Sequence, residues 1–135
     1  MIVVRWDPFK DLLRYVPNAA PTSEGARWQP AVDVFERDDV LVFRAELPGI
    51  DKEDIDVSVE DGVLTLSGTR KRDAELDDHS AYRLERSFGA FERKFSLPRG
   101  LDVTKIKAVH KNGLLEVSLP KAEEARSRKI TVEAA

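Results

Sequence analysis

The chain has 135 residues, of which 41% are hydrophobic and 35% charged, and its formal net charge is -3 at pH 7. These values fit one globular domain with room for an extension at either end and with a heavily charged surface. The absence of cysteine excludes disulfides, thiolate nucleophiles and cysteine-ligated zinc or iron sites.

Partner classes can be narrowed further from the charge and apolar patterns. No basic stretch stands apart from acidic neighbours, so a nucleic-acid partner is not expected. The longest apolar runs, such as Val40 to Phe43, are too short to span a bilayer, and the N-terminus lacks the apolar core of a signal peptide. We therefore expect a cytoplasmic protein without a membrane span.

Residues 1–29 differ from the rest of the chain, because proline, glycine and serine interrupt a few large apolar side chains. Pro8 is suited to the first turn of a short helix, since its missing N–H costs nothing there. One interpretation is an arm that packs onto its own domain. The other is an exposed adhesive segment that binds partners. The side chains spaced roughly as one helical face are Trp6, Phe9, Leu12, Leu13 and Val16.

From Trp28 onward apolar and polar residues alternate, which predicts β-strands. Residues 33–39 are interpreted as a short strand and a turn. In the following strand, Pro48-Gly49 marks the end. The residues of that strand expected on one buried face are Leu41, Phe43, Ala45 and Leu47.

Two dipeptides predict hairpins. Asp61-Gly62 separates the alternating runs 55–60 and 63–68, and Asn112-Gly113 separates two further β-patterned runs within 106–119. Asn-Gly readily adopts the positive φ angles of a two-residue type I′ turn, which fixes the strand register. A slip of one residue would move core side chains to solvent. The side chains expected in the core from this second hairpin are Leu115, Val117 and Leu119.

Residues 69–80 form a long, almost wholly polar segment between two strands. Such a loop inside a compact domain is uncommon and often functional. It is either a solvated loop or an arm that pairs with something outside its own sheet. Residues 82–86 and 91–97 then resume strand character, Pro98 ends it, and 102–105 is a linker long enough for one helical turn.

The strands and turns without interleaved helices predict an antiparallel β-sandwich. Such a fold has edges that invite pairing with other chains. The last residues, 121–135, begin charged and then place Ile130 and Val132 on one side of an extended triplet. This triplet is either a frayed tail or a strand that adds to another sheet.

Signals for catalysis are weak. His79 and His110 lie in different elements, and neither has a second ligand at metal-binding spacing. The acidic pairs, such as Asp38-Asp39, are typical of solvated turns, and the serines occur in no nucleophile-elbow context. We expect neither an enzyme nor a bound metal or cofactor.

Several motifs together resemble the small heat-shock proteins, whose core is the α-crystallin domain. Ala108-Val-His-Lys-Asn-Gly-Leu-Leu115 resembles the A-x-x-x-N-G-V/L-L signature of that family. The accompanying matches are Arg5-Trp-Asp-Pro-Phe9, Glu46-Leu-Pro-Gly49, Asp61-Gly-Val-Leu64, Glu85-Arg-Ser-Phe-Gly-Ala-Phe91, Leu97-Pro98 and Ile130-Thr-Val132.

The resemblance implies an all-β, immunoglobulin-like sandwich (the α-crystallin domain) over residues 30–120. A flexible N-terminal arm over 1–29 and a C-terminal extension over 121–135 would flank it. The implied function is an ATP-independent holdase chaperone of the bacterial type. Its partners would be non-native client proteins, further copies of the chain and ATP-dependent refolding chaperones, and it would need no cofactor.

The family's features can be carried onto this sequence. The segment 69–84 would exchange onto a partner's strand near 31–36 to form a dimer, and the C-terminal anchor, Ile130 and Val132, would dock in a groove on a neighbouring dimer. Groove residues would be Ile55, Val57, Val59, Ile106 and Ala108. Residues of the dimer interface would be Arg93, Tyr82 and Leu76, and Arg93 would support the interface through ion pairs. The client-binding arm would present Trp6, Phe9, Leu12, Leu13, Tyr15 and Val16.

Two departures from the family pattern affect the expected strength of assembly. The arm is short, and Val132 stands where isoleucine is common, which removes one buried methylene worth roughly 0.8 kcal/mol. The rival interpretation is a monomeric β-sandwich co-chaperone or adaptor that binds one folded partner. That interpretation needs neither the long polar segment nor the terminal apolar triplet.

Overall fold

The computed structural model describes residues 28–76, 81–126 and 129–135. Within these ranges the chain forms β-strands and short 3-10 turns, and no helix there is long and apolar enough to cross a membrane. The strands are β1 (Val32–Arg37), β2 (Val40–Glu46), β3 (Ile55–Glu60), β4 (Val63–Arg70), β5 (Gly89–Ser96), β6 (Lys107–Lys111) and β7 (Leu114–Pro120). The 3-10 turns are Lys52–Asp54, Val103–Lys105 and Glu123–Ala125.

The strands form two sheets, one ordered β1-β2-β7-β6 and the other β3-β4-β5. Every pairing between these strands is antiparallel. The predicted antiparallel β-sandwich is therefore confirmed.

Both predicted hairpins are present. Asn112 and Gly113 have φ angles of 54° and 74°, and Lys111 faces Leu114 across the turn. Asp61 and Gly62 have φ angles of 49° and 72° between β3 and β4. The positive φ values of both residues in each turn are those that a type I′ connection requires.

The turn between β1 and β2 uses the same geometry without glycine. Asp38 and Asp39 have φ angles of 52° and 62°, and both side chains are exposed. Aspartate tolerates this region better than most residues, because its short polar side chain can hydrogen-bond locally. The predicted strand and turn over 33–39 are confirmed.

The core lies between the two sheets and contains the side chains that the alternation pattern selected. In β2 and just beyond it, the predicted buried face is confirmed, as is the face of β7. The rings of Phe43 and Phe95 meet across the core with centroids 5.0 Å apart. The main core residues are Leu41, Phe43, Ala45, Leu47, Ile50, Leu64, Leu66, Phe91, Phe95, Leu115, Val117 and Leu119.

One buried residue lies on the other face of β2. Val42 is 0% exposed but is not part of the core cluster. It pairs with Phe35 in β1, and the guanidinium of Arg44 lies 4.9 Å from the Phe35 ring centroid. The outer face of this sheet thus holds a small apolar spot that alternation alone assigns to solvent.

The strand predicted at 82–86 is wrong for the single chain. Residues 91–97 lie largely in β5 as expected, but 82–86 belong to no strand. Tyr82 is fully exposed and Leu84 is also exposed. A strand is defined by its pairing, and the described part of the chain provides no partner strand for this segment.

Candidate functional site: an apolar groove between two sheet edges

The two sheets leave a groove where their edge strands approach each other. Edge strand β3 belongs to the three-stranded sheet and edge strand β6 to the four-stranded one. Between them lies an open cavity of about 300 Å³. Its lining residues are Val57, Ser58, Val59, Val103, Ile106 and Ala108.

The structure brings together four of the five residues expected in this groove. Val57 and Val59 come from β3. Ala108 lies in β6, and Ile106 is the residue just before that strand. Ile55 is half-buried and packs against the core, but it does not line the cavity.

Two lining residues were not predicted. Ser58 lies between Val57 and Val59 in edge strand β3. Val103 is delivered by the 3-10 turn Val103–Lys105, which Asp102 caps by accepting a hydrogen bond from the Thr104 N–H. The Asp-Val-Thr sequence is a usable signal for this cap, since aspartate often caps such turns.

The hairpin registers also determine which backbone groups face the groove. Hydrogen-bonded and non-hydrogen-bonded pairs alternate away from a two-residue turn. Counting from Lys111↔Leu114, the N–H and C=O of Ala108 point away from β7. Counting from Glu60↔Val63, those of Val57 and Val59 point away from β4. The groove therefore offers both apolar side chains and backbone hydrogen-bonding groups to an extended segment.

The C-terminal extension starts from a fixed point and ends in exposed apolar residues. Lys121 forms a β-bridge with Leu101, and the Ala122 N–H donates to the Gly100 carbonyl at 2.7 Å. Further on, Ile130 is 83% and Val132 91% exposed. Two large apolar side chains at i and i+2 are thus presented to solvent in the single chain.

The opposite side of the four-stranded sheet has β1 as its edge. This is the strand onto which the segment 69–84 was expected to exchange. In the single chain residues 69 and 70 end β4 and 71–76 belong to no strand. Leu76 is half-buried and lines a cavity between residues of 70–76 and 83–88. Arg86 and Asp73 form an ion pair at 3.2 Å in this loop.

Arg93 lies on β5, which is an edge strand of its sheet in the single chain. Its Nη1 donates a hydrogen bond to the Pro30 carbonyl at 2.8 Å. Burial lowers the pKa of Arg93 below the ordinary arginine value. The contact is to a backbone carbonyl rather than to the carboxylate that an ion pair would need.

Features of metal or acid–base chemistry are sparse in the described ranges. No group of three or more histidine, aspartate or glutamate side chains there is placed to hold a metal ion. The Nε2 of His110 lies 3.4 Å from the Leu47 carbonyl. His79 and the whole expected client-binding arm, Trp6, Phe9, Leu12, Leu13, Tyr15 and Val16, lie outside the described residues.

Sequence comparison relates the chain to known proteins. The Hsp20/alpha crystallin family model matches residues 33–133. Spore protein SP21 of Stigmatella aurantiaca is 37% identical over 130 residues, which cover 96% of this chain and 76% of that protein. The 17.8 kDa class I heat shock protein of Arabidopsis thaliana is 40% identical over 124 residues, covering 91% and 78% respectively.

Solved structures agree with the sequence comparison. HspA of Xanthomonas axonopodis superposes with a TM-score of 0.65 at 40% identity, covering 71% of this chain and 96% of that chain. A small heat-shock protein of Xylella fastidiosa, described as having a distinct high-order structure, gives 0.69 at 37% identity, covering 81% and 100%. By sequence and by fold, the chain belongs to the Hsp20/alpha crystallin family of small heat-shock proteins.

Proposed function

We propose that this protein is a cytoplasmic, ATP-independent holdase chaperone, which binds unfolding proteins and prevents their aggregation. It acts as dimers built into larger oligomers. The observation that carries the proposal is that one chain holds both an open apolar groove and a pair of exposed β-branched side chains at its C-terminus. Membership of the small heat-shock family supports the chaperone role.

The apolar side chains of the anchor and those of the groove walls have the same i, i+2 spacing. Ile130 and Val132 are two residues apart, so in an extended segment they are about 6.6 Å apart on one side. The groove walls repeat at the same interval, with Val57 and Val59 on one strand and Ile106 and Ala108 across from them. Burying each anchor side chain contributes about 1.5–3 kcal/mol before ordering costs. Single anchors therefore bind reversibly, and several in one oligomer bind more firmly.

Dimer formation is proposed to use the other sheet edge. In the single chain β1 pairs with β2, and its second side is the edge of the described sheet. The segment 82–84 is exposed and outside any strand. Pairing 69–84 of one chain with β1 of another would cover an edge that otherwise invites aggregation.

Client binding is proposed to use apolar surface that assembly partly covers. The groove is one such surface, and the arm within residues 1–29 is the other. Burial at about 25 cal/mol per Å² makes a contact of a few hundred Å² worth several kcal/mol before ordering costs. Heat would loosen the anchors of the C-terminal extension, 121–135, and open these sites to clients. No catalytic reaction is part of this proposal.

The test combines two measurements on the full chain. Light scattering follows a heat-aggregating client protein with and without this protein in the absence of ATP, and native mass spectrometry gives the assembly size. Suppression of scattering by an oligomer is the expected result. A monomer that leaves client aggregation unchanged would overturn the proposal and favour the monomeric adaptor. Replacing Ile130 and Val132 together by glycine should reduce the assembly size, and an unchanged size would contradict the anchor.

A further inference from the structure

The segment that leads into β1 is attached to the opposite sheet. Trp28 packs edge-on against Phe91 of β5, with ring centroids 5.2 Å apart and an interplanar angle of 80°. Pro30 is fully buried, and its carbonyl accepts the hydrogen bond from Arg93. The junction between the N-terminal segment and the domain is therefore held by β5 as well as by its own strand.

Arg70 connects this junction to both ends of the long loop. It is the last residue of β4, where the loop departs, and its Nη1 donates to the carbonyl of Ser87, where the loop returns, at 3.1 Å. Its guanidinium carbon also lies 3.7 Å from the centroid of the Trp28 ring. One side chain thus touches the start of the loop, its end and the junction.

The Arg70 guanidinium is held with incomplete hydrogen bonding. Its Nε and Nη2 are buried and have no hydrogen-bond partner in the described part of the chain. Burial, and then the positive charge of Arg86, lower its pKa below the ordinary arginine value. The face of the Trp28 ring offsets part of this cost, because an aromatic face attracts a cation and a desolvated site strengthens that attraction.

Because the unsatisfied N–H groups oppose the attraction to the ring, we expect the Arg70–Trp28 contact to separate at little cost in free energy. When Trp28 moves away, Arg70 loses its aromatic partner but gains water for its unsatisfied N–H groups. If the returning end of the loop moved, the bond from Arg70 to Ser87 would be lost, and the guanidinium would be held less firmly over the Trp28 ring. The stacking of Arg70 on Trp28 therefore depends both on the position of Ser87 in the loop and on the position of Trp28 at the junction.

We propose that the stacking of Arg70 on Trp28 is a clasp that couples the position of the loop at 71–88 to the attachment of the N-terminal segment. Displacing the loop releases the junction at Trp28, and releasing the junction loosens the loop. The clasp itself follows from these contacts. Its consequence for chaperone activity, in which dimer exchange through the loop frees the arm for clients, rests on the proposed function.

Trp28 provides a direct probe of the clasp. The chain has two tryptophans, so Trp6→Phe leaves Trp28 as the only one. In this background Arg70→Gln should increase acrylamide quenching of Trp28 fluorescence about twofold, because one ring face is no longer covered by the guanidinium. Arg83→Gln is the matched control, since Arg83 lies in the same loop but pairs with Glu85 at 3.3 Å. Equal quenching in the Arg70 and Arg83 variants would overturn the clasp.

Folding is checked by circular dichroism. If Arg70→Gln does not fold, Arg70→Lys keeps the charge but not the planar stack, and its quenching should lie above that of the unmutated site. Quenching equal to that of the Trp6→Phe protein would overturn the proposal in that case.

Coupling is tested from the loop side. Phe88 follows Ser87, and the guanidinium carbon of Arg72 lies 5.2 Å from its ring centroid, so Phe88→Ala disturbs the returning end of the loop while Arg70 and Trp28 are left unchanged in sequence. It should raise Trp28 quenching, whereas Val109→Ala, at an exposed position outside the loop, should not. No response to Phe88→Ala would overturn the coupling. These readouts need no client, so failure of the holdase assay with an intact Trp28 response would remove the proposed function and leave the clasp.

Discussion

Arg44 of β2 and Glu116 of β7 lie directly opposite each other, and Arg44 donates two hydrogen bonds to one oxygen of the Glu116 carboxylate. The Nη2–Oε2 distance is 2.8 Å and the Nε–Oε2 distance is 3.2 Å. Arg37 approaches the other oxygen, Oε1, at 3.4 Å. A single carboxylate on β7 thus contacts both its neighbour β2 and the edge strand β1.

This arrangement predicts an acid-dependent loss of stability. Hydrogen bonding by Arg44, and then its charge with that of Arg37, hold the pKa of Glu116 below the ordinary glutamate value, although partial burial opposes the shift. Because the folded-state pKa is the lower one, the contribution is fully present above the unfolded value of about 4.3 and is lost as the pH falls through the folded-state pKa.

Glu116→Gln should therefore lower the urea midpoint at pH 7, and the difference from the natural sequence should shrink as the solution is acidified past the glutamate range. Glu60→Gln, an exposed position at the end of β3, serves as the control. A Glu116→Gln deficit that is the same at every pH would contradict this account.

Gly68 should tolerate no side chain. A Cβ at this position in β4 would collide with the Asp54 carbonyl and approach the Phe91 ring to 2.9 Å. Since backbone cannot move aside cheaply, Gly68→Ala is expected to reduce the free energy of unfolding by about 1–3 kcal/mol. Chemical denaturation measures the change. Ser67→Ala, the neighbouring position in β4, should stay within about 0.5 kcal/mol, and equal effects at both positions would refute the close-contact argument.

Gly113 is constrained by its backbone as well as by its neighbour. Its φ of 74° is unfavourable for a residue with a Cβ, and that atom would lie 3.2 Å from the Pro48 Cα. Its carbonyl also accepts a hydrogen bond from the Leu47 N–H at 2.7 Å. Gly113→Ala should cost about 1–2 kcal/mol from the left-handed backbone alone. Thermal unfolding measures the loss of stability in Gly113→Ala and in the control Lys111→Ala, which changes a residue beside the turn. A larger loss in Gly113→Ala would assign the cost to the turn geometry.

Sequence patterns predicted the parts of the fold that depend on neighbouring residues. Asp61-Gly62 and Asn112-Gly113 require positive φ angles locally, and the structure has them. Once the two turns fix the register, alternation assigns the inward faces of β3 and β7. That four of the expected groove residues line one cavity follows from the same alternation, combined with a family resemblance that names the two edges.

The features that were missed depend on contacts between distant residues. Val42 is buried on the outer face, where Phe35 is its pair on the adjacent strand. Val103 reaches the groove because a capped turn redirects the chain. Residues 82–86 have the composition of a strand, but a strand also needs a partner, and no local pattern can supply one.

Ala108→Trp is expected to block docking of the anchor. Ala108 is exposed at the groove wall, so an indole there fills the space that an incoming isoleucine would use, without entering the core. Native mass spectrometry should show a smaller assembly with an unchanged melting temperature. The control is Val109→Trp, because Val109 is exposed on the other face of β6. An assembly of normal size in Ala108→Trp would place the anchor elsewhere.

Dimer formation should depend on the exposed side chains of the loop. Replacing Tyr82 and Leu84 by serine removes apolar surface that the single chain leaves in solvent. Sedimentation velocity should then show a shift from dimer to monomer, while circular dichroism stays unchanged. Replacement of Val109 by serine, at an exposed apolar position away from both the loop and the groove, should leave the dimer intact. A dimer that survives the loop variant would rule out this segment as the exchanged strand.

The bonds that fix the start of the C-terminal extension have a geometric consequence for assembly. The Arg126 N–H donates to the Glu123 carbonyl at the end of the last 3-10 turn, and that turn packs on the domain, because a Cβ at Gly100 would lie 2.7 Å from the Ala125 Cβ. From Arg126 to Ile130 there are four residue steps, which span at most about 14 Å when fully extended. If the anchor docks as proposed, the receiving groove must therefore lie within the short reach of residues 126–130. The length of this connecting segment then limits which arrangements of subunits can form a closed oligomer. Inserting Gly-Ser pairs after Arg126 would widen the range of particle sizes without any change in the groove.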